Sequence, residues 1–130
     1  MANAIYTHKA PEPIGPYSQA IETNGTLYVS GQIGYNNFDE AIMQDSMEEE
    51  TEQVMLNLEY ILKQAGCSFE DVVKCSIFLT DMGSFEQVNE VYASKFWKNK
   101  PARETVEVSA LPKGARVEIS CIAIVPASEG

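Results

Sequence analysis

The spacing of apolar residues changes several times along this chain, and each change marks an element. Tyr17 to Ile21 and Thr26 to Ile33 read as two strands. Between them stands Asn24-Gly25, a pair that accepts positive φ at both centres of a two-residue hairpin turn. Residues 34–45 are polar and irregular. The period then lengthens: Val54, Met55, Leu58, Ile61, Leu62 and Ala65 fall on one face of a helix. Ser46 with Glu49 predicts a capping box at its start, and Gly66 supplies its stop. Glu48, Glu49, Glu50, Glu52 and Glu59 read as its solvated acidic face, placed where the helix dipole favours negative charge. Val72 to Thr80 is a third strand. Ser84 and Gln87 predict a capping box for a second helix with the stripe Phe85, Val88, Tyr92 and Phe96. Pro101 is expected to end it, and Trp97 to pack in the core with Tyr92. Glu104 to Ser109 and Ala115 to Val125 complete the strands, with a further short one near Ile5.

The order strand, strand, helix, strand, helix, strand, strand contains two strand-helix-strand crossovers. Right-handed crossovers put both helices on one side of a single sheet. The expected fold class is therefore α+β, a two-layer sandwich with one mixed sheet and two helices on one face. It forms a single domain spanning residues 1–130. The other sheet face is left uncovered. In the last strand Val117, Ile119, Cys121, Ala123 and Val125 share the core side, while Arg116, Glu118, Ser120, Ile122 and Ile124 share the open side. That half-apolar set suits a subunit interface with a polar site at one end. Arg103, Thr105 and Glu107 are expected to alternate away from Val106 and Val108, onto the same open side.

Charge narrows the partners. Nine Lys and Arg stand against nineteen Asp and Glu, a formal net charge of -10. A nucleic-acid groove needs a basic surface to displace phosphate counterions, so nucleic acid is an unlikely partner. The only histidine, His8, and the three cysteines Cys67, Cys75 and Cys121 provide no zinc ligand set and no His-based nucleophile pair. Cys75 and Cys121 lie in apolar strand-like runs and read as small buried hydrophobes. No apolar run approaches membrane length and no signal pattern opens the chain, so the default location is cytoplasmic, with no membrane partner.

Candidate chemistry gathers near the C-terminus. Arg103 opens a strand, and its planar fork matches a carboxylate with two parallel hydrogen bonds. Thr105 follows two residues on. Glu118 supplies a carboxylate able to orient water or move a proton. Two readings stand from spacing alone: an anion clamp with an acid/base group, or a structural Arg103–Glu118 ion pair.

The segment from Pro101 to Ala123 resembles the C-terminal signature of the RidA/YjgF/YER057c family. Ile14-Gly15-Pro16-Tyr17-Ser18-Gln19-Ala20, Val29-Ser30-Gly31-Gln32-Ile33 and Phe85-Glu86-Gln87-Val88-Asn89 resemble three further family motifs in register. The resemblance implies a chorismate-mutase-like fold and a homotrimer whose sheets form a central barrel, with a cleft at each subunit boundary. It implies hydrolysis of 2-imino acids to 2-oxo acids and ammonia with no metal or organic cofactor. Carried over by position, Arg103 grips the substrate carboxylate and Glu118 activates water and passes a proton to the leaving nitrogen. Tyr17, Ser30, Gly31 and Thr105 join Arg103 in substrate binding, and Asn89 takes a structural role. Glu104 departs from the family pattern where a small residue is usual, which predicts an added negative charge beside the anion site. Thr105 and Ser120 depart too, as does the loop from Tyr35 to Gln44. Two other functions carry over as alternatives: a non-catalytic binder of 2-oxo acids, and an endoribonuclease or translation inhibitor, against which the acidic balance argues.

Overall fold

A computed structural model describes residues 2–127. Eight strands and two helices run in the order β1 (Asn3–Ile5), β2 (Ala20–Thr23), β3 (Thr26–Ile33), β4 (Tyr35–Asn36), β5 (Ala41–Ile42), α1 (Met47–Gln64), β6 (Val72–Leu79), α2 (Phe85–Lys95), β7 (Ala102–Glu107) and β8 (Val117–Ile124). Six of the strands form one mixed sheet in the order β1-β2-β3-β8-β6-β7. Only β6 and β7 run parallel; the other neighbours in this sheet are antiparallel. Both helices pack on one face. This is the expected two-layer α+β arrangement.

The local signals explain most of the elements. Asn24 and Gly25 both take positive φ, 51° and 80°, and join β2 to β3 directly through the pair Thr23 and Thr26. Ser46 Oγ accepts from the Glu49 amide at 3.0 Å at the start of α1. Gly66, at φ 79°, turns the chain out of α1 so that the Cys67 amide bonds back to the Leu62 carbonyl at 2.8 Å. Val54, Met55, Leu58, Ile61 and Leu62 are buried against Val117, Ile119, Cys121 and Ala123 of β8, in one cluster with Leu27, Ile77 and Leu79. The expected faces of α1 and β8 are thus observed.

Several expectations fail locally. Strand β2 begins at Ala20 rather than Tyr17, and the 34–45 stretch holds the small β4–β5 hairpin. Ser84 makes no side-chain cap. A 3-10 turn at Met82–Ser84 runs straight into α2 and satisfies its first amides, and Asp81 caps that turn instead. Helix α2 ends at Lys95, well before Pro101, because Phe96 turns into the core against Phe69 and Tyr92. Trp97 lies just past that turn and is 74% exposed, not packed.

Glu50 is the sharpest departure. Its place in the sequence puts it among the solvated acids, yet it is fully buried. Its Oε1 accepts from Arg116 Nε and its Oε2 from the Arg116 amide, both at 2.7 Å. Arg116 also donates to the Gln44 carbonyl at 3.1 Å, so it reaches towards α1 instead of sharing the open face with Glu118. A paired carboxylate can be buried where a free one cannot. Gly34 completes the contact, since a Cβ there would lie 2.8 Å from Glu50 Cγ.

The open sheet face is half apolar, with the Lys74–Glu104 pair, Ser76 and Ser120 standing beside its hydrophobic side chains. Tyr28, Val106 and Ile124 are 49%, 41% and 48% exposed, with Phe78 and Ile122 half-buried among them. No helix among the described residues is long and apolar enough to cross a membrane.

Candidate active site

A cleft of about 780 Å³ opens at one end of the sheet. Its floor is made by a break in β3. The pairing with β8 shifts register between Val29 and Gln32, leaving Ser30 and Gly31 in an irregular segment. Ser30 is tied to the preceding loop: its amide donates to the Gln19 carbonyl at 2.9 Å and its hydroxyl to the Ser18 carbonyl at 2.6 Å. Gly31 lies against Glu118, and a Cβ on it would stand 2.6 Å from Glu118 Oε2. The missing side chain is the space the carboxylate occupies.

Glu118 sits half-buried at the β8 end of the cleft, and burial holds its carboxyl above the ordinary carboxylate range. Tyr17 and Ile14 form one wall, Tyr35 another, and Pro112 and Lys113 close the far side. Lys113 takes φ 57° and its Nζ lies 4.9 Å above the Tyr35 ring. Gln19 anchors the Tyr17 wall. Buried between the N-terminal arm and the sheet, it accepts from the Thr7 amide at 2.8 Å and donates to the Thr7 and Pro11 carbonyls, each at 3.0 Å. Sequence reasoning named Gln19 only as part of a motif. The missed signal was a polar residue at an inward position beside Ala20.

Four of the six expected site residues thus meet: Tyr17, Ser30, Gly31 and Glu118 line one cleft. Arg103 and Thr105 do not join them within one chain. Cys75 pairs with both Arg103 and Cys121, and Phe78 with both Val106 and Glu118. Paired residues share a face, so Arg103 and Thr105 face the helix side with the buried Cys75 and Ile77, while Val106 and Glu118 face the open side. The expected alternation of β7 is reversed. Edge strand β7 is roofed only by the polar and aromatic flank of α2, so polar residues fit beneath it and Val106 takes the open face. Arg103 Nη1 donates to Asn89 Oδ1 at 2.7 Å. An Arg103–Glu118 ion pair within the chain is excluded. The Thr105 hydroxyl is buried with no hydrogen-bond partner among the described residues.

Glu104 also behaves otherwise than expected. It points to the face opposite Arg103, bonded to the Ser76 hydroxyl and 3.0 Å from Lys74 Nζ. The Ser76 hydrogen bond, followed by Lys74, holds its carboxyl below the usual range. Its charge is matched there rather than set against the guanidinium. All three cysteines are buried, and burial raises each thiol, Cys67 to about 11. This is the inert behaviour of small core residues.

Fold and cleft together define a two-layer α+β domain with an open, half-apolar sheet face and, at one end of it, a carboxyl that burial holds above the ordinary range. A family model described as endoribonuclease L-PSP matches residues 7–125. The chain is 47% identical over 120 residues to a 2-iminobutanoate/2-iminopropanoate deaminase of Mus musculus, covering 92% of this chain and 89% of that protein. It is similar to the solved structure of the Rid-family protein YyfA from Yersinia pestis, at 48% identity and TM-score 0.93, over 96% of this chain and 100% of that one. It is likewise similar to E. coli TdcF, solved with bound serine, at 33% identity and TM-score 0.90, over 94% and 98% of the two chains. The chain belongs to the endoribonuclease L-PSP family, the RidA/YjgF/YER057c group that its motifs resemble.

Proposed function

We propose that this protein hydrolyses reactive 2-imino acids, such as 2-iminobutyrate and 2-iminopropionate, to 2-oxo acids and ammonia. It does so without a metal or organic cofactor, as a homotrimer whose sheets form a central barrel. The observation that carries the reading is Glu118, a half-buried carboxyl held above its ordinary range and seated against the bare backbone of Gly31 in the cleft. Water attacks C2 of the protonated imine while the Glu118 carboxylate takes a proton from it. A tetrahedral carbinolamine results. Glu118 returns that proton to nitrogen, the C–N bond breaks to release ammonia, and the hydroxyl oxygen forms the carbonyl as its proton passes to the Glu118 carboxylate and on to that ammonia. The products are a 2-oxo acid and ammonium.

The substrate carboxylate needs a cation. Within one chain Arg103 lies on the opposite sheet face from Glu118, Arg116 is committed to Glu50, and Lys113, which lines the cleft over the Tyr35 ring, is a point charge that cannot give a two-pronged grip. A neighbouring subunit that lays its β7 edge beside the cleft brings Arg103 to the substrate. The same assembly buries Tyr28, Val106, Ile122 and Ile124 in every copy, which closed cyclic symmetry achieves with no free face left over. Tyr17, Ser30, Gly31 and Thr105 complete the binding surface.

The test generates 2-iminopropionate and 2-iminobutyrate in situ from their amino acids and follows their decay. Wild type accelerates decay, and Arg103→Ala loses most of that acceleration. Removing one partner of a desolvated charge pair costs about 2–5 kcal/mol, roughly 30- to 5,000-fold in kcat/KM. Turnover near wild type in Arg103→Ala refutes the clamp. A second reading, a binding module for 2-oxo acids, draws on the neighbour solved with bound serine. Tight binding of 2-oxobutyrate with no acceleration of imine decay would favour it.

A further inference from the structure

An exposed arginine ordinarily spreads over many rotamers, and the freedom it loses on gripping a ligand opposes that grip. Arg103 is exposed on edge strand β7, yet three side chains of α2 hold it. Asn89 Oδ1 accepts from Nη1 at 2.7 Å. The guanidinium carbon lies 5.0 Å from the Tyr92 ring centre and 5.5 Å from that of Phe85. Phe85, Asn89 and Tyr92 are spaced four and three residues apart, so one helix face presents all of them.

The support is itself rigid. Tyr92 is buried, with its ring centre 4.7 Å from that of Phe96. Phe85 packs on the edge of the core. Asn89 therefore fixes the roll of a guanidinium that two anchored rings already confine. A guanidinium has five N–H donors, and Asn89 engages Nη1 alone among the described residues. The acceptor is an amide, not a carboxylate. It orients the fork without cancelling the charge that an anionic substrate needs.

We propose that Asn89, backed by Phe85 and Tyr92, is the positioning residue that presets the Arg103 fork for the substrate carboxylate. The proposal rests on the clamp role given to Arg103 above. It assigns Asn89 a part in substrate affinity, beyond the structural role its helix position suggested.

The experiment compares Asn89→Leu, Arg103→Lys and the double variant with wild type, measuring kcat and KM on 2-iminobutyrate, the Kd of 2-oxobutyrate, and Tm. In Asn89→Leu, KM and Kd are expected to rise about tenfold while kcat stays within about threefold, the pattern of binding lost equally from ground and transition states. Tm is expected to stay within a few degrees, because the bond lies at the surface. Adding Asn89→Leu to Arg103→Lys is expected to change KM and Kd no further, since an ammonium has no plane to orient. A wild-type KM in Asn89→Leu beside a damaged Arg103→Lys overturns the positioning role and leaves the clamp standing. An equal penalty from Asn89→Leu in both backgrounds overturns it too, as that is the mark of a general structural effect. A wild-type KM in Arg103→Lys removes the clamp itself.

Discussion

Gly31→Ala isolates the position of the Glu118 carboxylate from its chemistry. The backbone at Gly31 is not in the left-handed region, so alanine is conformationally acceptable there. The difficulty is space. The new Cβ would lie 2.6 Å from Glu118 Oε2 and 2.8 Å from Cδ, whereas ordinary contact begins at 3.4 Å. The carboxylate must therefore retreat by about 0.8 Å, in the range where misplacing a reacting group costs on the order of 10²-fold in rate. That corresponds to about 2.7 kcal/mol of barrier. The fold is expected to survive. The obstructing atoms are the far end of a half-exposed side chain, which puts overpacking near the low end of its range, about 1 kcal/mol. Replacing glycine recovers up to about as much from the unfolded chain. The assay is imine decay beside a thermal melt: kcat/KM is expected to fall about 100-fold with Tm shifted by only a few degrees. Activity within threefold of wild type at unchanged Tm would refute the claim that the chemistry depends on where this carboxylate sits.

Glu118→Gln is expected to slow turnover by roughly 10²- to 10⁴-fold while 2-oxobutyrate still binds. It also carries a stability signature. The folded pKa of Glu118 is raised, so its ionisation penalises the fold above that pKa and not below the unfolded value. Tm of the variant is therefore expected to exceed wild type at neutral pH, with the gain vanishing as pH falls to about 4; a constant difference across pH contradicts the burial argument. Glu50→Leu is expected to cost about 1–3 kcal/mol in a denaturant melt, since the Arg116 amide and its half-exposed guanidinium each lose a 2.7 Å partner; a loss below about 0.5 kcal/mol shows the pair to be replaceable. Ile122→Asp places a carboxylate on the open face and is expected to lower the assembled mass by light scattering and the activity together. A fully active single chain refutes both the trimer and the shared site.

The sequence was most informative where one physical demand acted alone. The α1 stripe and the β8 alternation each answer to a single buried face, and both are observed. Asn24-Gly25 was readable because few other pairs tolerate two positive φ values in succession. Reading failed where two demands competed at one residue. Glu50 looked like one of several helix acids, and only the fold brings Arg116 to it from 66 positions away. Arg103 looked like an outward residue because polar side chains usually leave the core. An edge strand is covered unevenly, and its core side can be the polar one. Periodicity finds the two faces of such a strand but cannot say which of them is inside. The cleft was legible in its parts, through the motifs holding Tyr17, Ser30 and Glu118. The register break that sets Gly31 against Glu118 is marked only by a glycine inside a strand, which signals a bulge or a close approach without saying what fills the space.

Under the proposed function, the division of the site between two sheet faces would link catalysis to assembly. A strand displays alternate residues on opposite sides, so Glu118 on the open face and Arg103 on the helix face cannot both line one cleft within a chain. Moving Arg103 by one position would bring it to the open face, yet would strip it of Asn89, Phe85 and Tyr92, the groups that hold it still. The observed arrangement keeps a well-held guanidinium at the edge of the sheet and a half-buried carboxyl against a bare glycine, and in the proposed trimer a second copy joins them. Under the proposed function, an isolated chain would have each half of the chemistry and neither the full substrate grip nor the dry surroundings that make it effective. In the proposed trimer, burial of the exposed apolar side chains Tyr28, Val106 and Ile124 supplies the driving force for that union.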